Sequence, residues 1–193
     1  MAFEIYNGIF STAQDLIAKA AEMWDFDEVT ATKATYGNVF LLDDGGTLRF
    51  YISSVNKYSI STNTPYRYSI VKSDNALLIS IETSSGWATI VIGNTTNAEG
   101  TKGKGGVFSY GQASGGTALG TDNWSSGADI TYENNIIRSD GLTQLVPIAA
   151  PYGGYYFENV FRTFVGMNTG IKGLYEINGE RYYISNRTAI KEE

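Results

Sequence analysis

The side chains that could do chemistry in this chain are carboxylates, lysines, tyrosines and serines, because its 193 residues include neither histidine nor cysteine. Without histidine there is no base of near-neutral pKa, no imidazole metal ligand and no middle member for a Ser-His-Asp relay. Without cysteine there are no disulfides, thiolate nucleophiles or sulfur-held metals. A carboxylate pair could still hydrolyse a glycosidic bond, given two acids facing one cleft roughly 5–10 Å apart. Acids cluster at Asp25-Phe26-Asp27-Glu28 and Asp43-Asp44, yet neither run has the D-x-[DN]-x-[DN]-G spacing of a calcium loop. They read as a helix-to-strand connection and a turn. Residues 100–106 are glycine-rich but lack the G-x-x-x-x-G-K-[ST] spacing of a phosphate loop, and Gly111-Gln112-Ala113-Ser114-Gly115 is not G-x-S-x-G. The expectation is a non-enzymatic chain with no catalytic residue, no cofactor and no metal site.

Binding chemistry falls to the aromatics. The 14 tyrosines stand against only 3 prolines, and Tyr with Ser, Gly and Asn makes adaptable contact surfaces. Trp87 and Trp124, with Tyr66, Tyr110 and Tyr132, could form a platform for a sugar or another flat ligand. Trp87 starts a strand and reads as core. Trp124, Tyr110 and Tyr132 lie in or beside polar, glycine-rich sequence and are the candidate contact surface, with a glycan as the alternative partner. The net charge of −6 opposes non-specific nucleic-acid binding. The basic cluster Lys102-Gly103-Lys104 reads as part of a solvated loop. No apolar run reaches the roughly 20 residues a membrane helix needs, and Met1-Ala2-Phe3-Glu4-Ile5 lacks the pattern of a secretory signal. The expectation is synthesis in the cytosol and no membrane partner.

The elements that must position these residues follow from periodicity. Ser11 reads as the N-cap of a helix over residues 12–24, with Ala13, Leu16, Ile17, Ala20 and Trp24 on one apolar face. Asp15 and Lys19 form an i, i+4 pair in the favourable order. Strands follow as a β meander over about 38–92. Asp43-Asp44-Gly45-Gly46 and Ser84-Ser85-Gly86 are hairpin loops, and a loop with Asn63 and Pro65 joins two further runs. Residues 93–127 read as an exposed glycine-rich excursion with one short strand at Val107-Phe108-Ser109-Tyr110. Deleting residues 100–123 is therefore expected to spare the fold. A C-terminal β region covers about 130–190, with a small hairpin near residues 130–138 and a closing hairpin turning at Asn178-Gly179. The whole reads as one α+β domain, 1–193, mostly antiparallel β, with the amphipathic helix packed on a meander or sandwich.

The helix opening Phe10-Ser11-Thr12-Ala13-Gln14-Asp15-Leu16-Ile17 with Trp24 at its end precedes a meander containing Leu48-Arg49-Phe50-Tyr51-Ile52. The last part runs from Pro151-Tyr152-Gly153-Gly154-Tyr155-Tyr156-Phe157-Glu158-Asn159-Val160-Phe161 to Gly179-Glu180-Arg181-Tyr182-Tyr183-Ile184. This layout resembles that of small structural proteins of tailed-bacteriophage virions, tail-associated ones included. The resemblance implies a virion protein assembled in the host cytoplasm, a homo-oligomer docking to other virion proteins, and no catalytic residue. The surfaces expected to serve this are the helix, exposed sheet edges and the 93–127 excursion.

Overall fold

The computed structural model describes residues 2–52, 55–83, 86–110, 117–121, 128–130, 145–149, 155–163, 172–185 and 188–193. These residues are mostly antiparallel β with one short helix. The first described element is a strand, β1 (Glu4–Phe10), which was not expected from the sequence. Its Asn7-Gly8 dipeptide runs straight through the strand. Gly8 is needed there because a Cβ would lie 2.9 Å from ring carbons of both Tyr6 and Tyr68.

Helix α1 (Ala13–Met23) is capped by Thr12, not Ser11. The Thr12 hydroxyl accepts from the Asp15 N–H and the Asp15 carboxylate accepts from the Thr12 N–H, both at 3.2 Å, the reciprocal capping box. With Asp15 so engaged, Lys19 reaches Glu22 at 2.6 Å in place of the expected Asp15 pair. Ala13, Leu16, Ile17 and Ala20 are buried as the periodicity requires, but the helix ends at Met23, which completes the buried face, and the expected Trp24 is its C-cap.

Strands β2 (Glu28–Val29), β3 (Lys33–Tyr36), β4 (Val39–Asp43), β5 (Thr47–Ile52) and β6 (Val55–Ser61) form a five-stranded antiparallel meander. In β5 the alternation is clean, with Leu48, Phe50 and Ile52 buried and Thr47, Arg49 and Tyr51 half-buried. The expected single meander breaks here. The loop after β6 carries the chain into a second sheet, where β7 (Tyr66–Lys72) pairs with β1 on one side and β8 (Ala76–Thr83) on the other.

Next come β9 (Gly86–Thr96), β10 (Lys102–Tyr110), β11 (Thr117–Thr121) and β12 (Ala128–Ile130). They extend the main sheet in the order β1-β7-β8-β9-β10-β11-β12. This overturns the exposed excursion. Strand β10 pairs with β9 at nine positions, from Lys102↔Thr96 to Tyr110↔Ala88, and Val107 is fully buried. Its glycines, which suggested a loop, answer to close packing: a Cβ on Gly106 would lie 2.9 Å from Phe50 and Val39. Deleting residues 100–123 would remove a core strand.

The C-terminal strands are β13 (Leu145–Ala149), β14 (Tyr156–Thr163), β15 (Lys172–Ile177), β16 (Glu180–Ser185) and β17 (Thr188–Lys191), in the order β13-β14-β17-β16-β15. The β15–β16 turn is the expected Asn178-Gly179, with φ of 55° and 78° as a type I′ turn demands. This section joins the main sheet where β9 outruns β8: Thr95 and Thr96 pair with Phe157 and Tyr156. The expected hairpin over residues 130–138 lies outside the described residues except for Ile130, which ends β12.

From that joint the C-terminal section folds back over the main sheet, so β7, β8 and β9 are buried on both faces. One face packs Ile70, Leu77, Ile79, Ile81, Ile90 and Ile92 against α1 and the β2–β6 sheet. The other packs Val71, Leu78, Val91 and Val107 against Phe157, Val160, Tyr183 and Ile190. A polar row runs through this second face. Asn7, Ser69, Ser80, Thr89 and Ser109 are direct cross-strand neighbours from β1 to β10. Strands β16 and β17 run along that row, across the main strands. Tyr183 lies close to Ser69. The Ser185 hydroxyl meets those of Ser80 at 2.7 Å and Thr89 at 2.9 Å, and Thr188 meets Ser109 at 2.9 Å. Mutual hydrogen bonding is what makes these buried hydroxyls tolerable.

Candidate functional site

The aromatics singled out from the sequence do not form one described platform. Trp124 and Tyr132 lie outside the described residues, and Tyr110 ends β10 opposite Ala88. Tyr66 is half-buried, with its ring tilted 31° to that of Phe10 at 5.8 Å. Trp87 is half-buried, not core, with the Lys172 ammonium 4.0 Å above its ring. Burial lowers the Lys172 pKa, and the Glu82 carboxylate offsets only part of that. This cation–π contact ties β15 to β9. The basic pair is not a solvated loop either: in β10, Lys102 is bound to Glu158 and Lys104 to Asp27.

The concave candidate is a cleft of about 630 Å³ between the C-terminal end of α1, β3 and the rim of the main sheet. Trp24, Phe26 and Tyr36 form its aromatic floor, and Asp27, Asn94 and Lys104 are among its polar walls. The floor is turned into the core. Trp24 and Phe26 meet the Tyr36 ring edge-on, at 5.6 and 6.4 Å, and Lys104 covers it at 4.6 Å. The Tyr36 hydroxyl donates to Asn94, whose amide donates to Asn75 at 3.1 Å.

The cleft also gathers Asp25 and Asp74 with Asp27. Burial pushes the Asp27 carboxyl up, but hydrogen bonds from Lys104 and from the Gly37 N–H at 2.7 Å outweigh it and hold the pKa below the ordinary value. A glycosidase acid needs the opposite shift. Among the described residues no three His, Cys, Asp or Glu side chains are grouped to hold a metal ion. No described helix is long and apolar enough to cross a membrane.

The other candidate is a strand edge. Strand β1 ends the main sheet, and among the described residues β7 is its one neighbour. Ile5, Tyr6 and Ile9 are 39, 38 and 67% exposed, and no charge interrupts the strand after Glu4. The other edges are guarded as sheet edges usually are. Strand β15 exposes Leu174 and Tyr175 but carries Lys172, Glu176 and a kink at Gly173, φ 147°. Strand β6 has Lys57 and a register shift opposite Phe50/Tyr51, while β2 is two residues long and β12 three. Strand β13 shifts register around its proline. Among the described residues that leaves β1 as the long, regular and nearly uncharged edge, and sequence reading missed it. Its apolar residues were the available signal, masked by Asn7-Gly8, which imitates a turn.

Among known proteins, no family model matches this chain, and neither a curated relative nor a solved structure does.

Proposed function

We propose that this chain is a non-enzymatic structural component of a phage or prophage particle, a tail or other virion protein. It works by self-association and by docking to neighbouring subunits, with α1 backing a β sandwich as its rigid body. The observation that carries this reading is the β1 edge. Seven residues, Glu4 to Phe10, form an edge strand with Ile5, Tyr6 and Ile9 partly exposed, and such an edge is a template for another chain. The layout resemblance to virion structural proteins points the same way. Assembly takes place in the host cytoplasm, and the finished location is the virion.

The test is mass spectrometry of particles purified after prophage induction, comparing wild type with Ile9→Lys. The wild-type chain is expected in particles at a fixed ratio to the other structural proteins. The charged variant is expected to fold and stay in the soluble fraction. A wild-type chain absent from particles would overturn the reading.

A further inference from the structure

We infer that the occupant of the β1 edge is β1 of a second copy, paired antiparallel about a two-fold axis at Asn7. This rests on the assembly reading and names the partner of the same edge. The sequence Glu4-Ile5-Tyr6-Asn7-Gly8-Ile9-Phe10 complements itself in one register. Centred on Asn7, the pairing engages all seven residues. Ile5 and Ile9, two exposed apolar side chains on one face, then sit directly opposite each other's copies. Direct cross-strand apolar pairs are a unit of sheet stability. Tyr6 meets Gly8, which has no side chain to clash. Shifting the axis to Tyr6 or Gly8 shortens the ladder, sets one isoleucine against Asn7 and leaves the other opposite a residue beyond the strand.

Charge selects the direction. Glu4 is the strand's one charged residue. A parallel in-register pair would stack Glu4 on Glu4, whereas the antiparallel pair puts it opposite Phe10 and a strand's length from its copy. Within each chain Glu4 lies 3.7 Å from Lys72 on β7. The two-fold pairing also closes: each copy covers the other's edge, and the main sheet continues across the axis.

The absence of native cysteine makes the register testable by single-thiol cross-linking. Residues opposed across an antiparallel pair have Cα atoms about 4.5–5.5 Å apart, within disulfide reach. Under mild oxidation Asn7→Cys is expected to form a covalent dimer. Ile5→Cys and Ile9→Cys are each expected to remain monomeric alone, because like positions lie about 14 Å apart, and to cross-link when mixed. The mixed pair keeps Asn7, which accepts a hydrogen bond from Ser69, so it tests the register even if Asn7→Cys perturbs the fold. Light scattering on the wild type is expected to give twice the 21.0 kDa chain mass, with Ile9→Lys raising the dissociation constant at least tenfold. Self-linking by Ile5→Cys, or no linking by the mixed pair, overturns the inference. If linking fails while Ile9→Lys is still excluded from particles, the two-fold pairing falls and docking through β1 to a different subunit stands.

Discussion

The two buried faces of β7, β8 and β9 are built differently. Toward α1 the contacts are apolar and non-directional: isoleucines and leucines meet a helix and a second sheet. Toward the C-terminal section, apolar residues are interleaved with Ser69, Ser80, Thr89 and Ser109, answered by Tyr183, Ser185 and Thr188. Apolar burial selects which face of a strand turns inward, because a slip of one residue inverts it. It discriminates poorly against a slip of two, which exchanges one aliphatic for another. Paired hydroxyls do discriminate, since a two-residue slip leaves buried donors and acceptors unmatched at about 1–3 kcal/mol each. The first face supplies burial; the second fixes how β16 and β17 cross the sheet.

The sharpest break is on the apolar face. Ile79→Ala empties a fully buried site and is expected to cost about 3 kcal/mol in urea unfolding; a loss under about 1 kcal/mol would mean that face repacks freely. On the hydroxyl face, Ser185→Val strands Ser80 and Thr89 and adds volume, an expected loss of about 2–3 kcal/mol. Replacing Ser80 by Ala and Thr89 by Val as well should recover part of it, because removing all partners leaves no orphan. Strict additivity across those variants would refute the directional role assigned to that face.

Alkaline pH distinguishes the surroundings of two neighbouring tyrosines on β16. Burial raises the Tyr183 hydroxyl on the hydroxyl face, and the neighbouring Ser69 offsets a part. On the opposite face Tyr182 is pushed up to about 12, by burial and then by its 2.6 Å bond to Glu180. Both stay neutral in the fold while unfolded tyrosines ionise near pH 10. Their stabilisation is therefore complete below about pH 10 and is lost as pH rises through the folded values. The melting temperature should fall between pH 9 and pH 11, and less steeply in Tyr182→Phe. The smallest effect belongs to the cleft. Asp27→Asn removes a part-exposed pair with Lys104 and should cost under about 1 kcal/mol, less at high salt.

Much of this was legible in local pattern. The helix face, the β4–β5 and β8–β9 hairpins and the Asn178-Gly179 turn all follow from spacing and turn chemistry within a dozen residues. The β1 edge was not legible, because Asn7-Gly8 has the same local code as Asn178-Gly179. At 178–179 no neighbour opposes the turn. At 7–8 the ladder to β7 and the rings of Tyr6 and Tyr68 over Gly8 hold the chain extended. Likewise the glycines of β10 signal a loop until Val39 and Phe50 are brought against Gly106.

What the sequence determined by itself is the β-rich class, the single described helix with its apolar face, the closing hairpin, and a chemistry without imidazole or thiol. The tertiary structure alone decided that the strands divide between two sheets, that the C-terminal section folds across the first, and that β1 is left as an edge strand among the described residues. The reason is physical: side-chain periodicity encodes which face a residue presents, whereas the identity of the neighbour across that face depends on contacts between residues far apart in the chain.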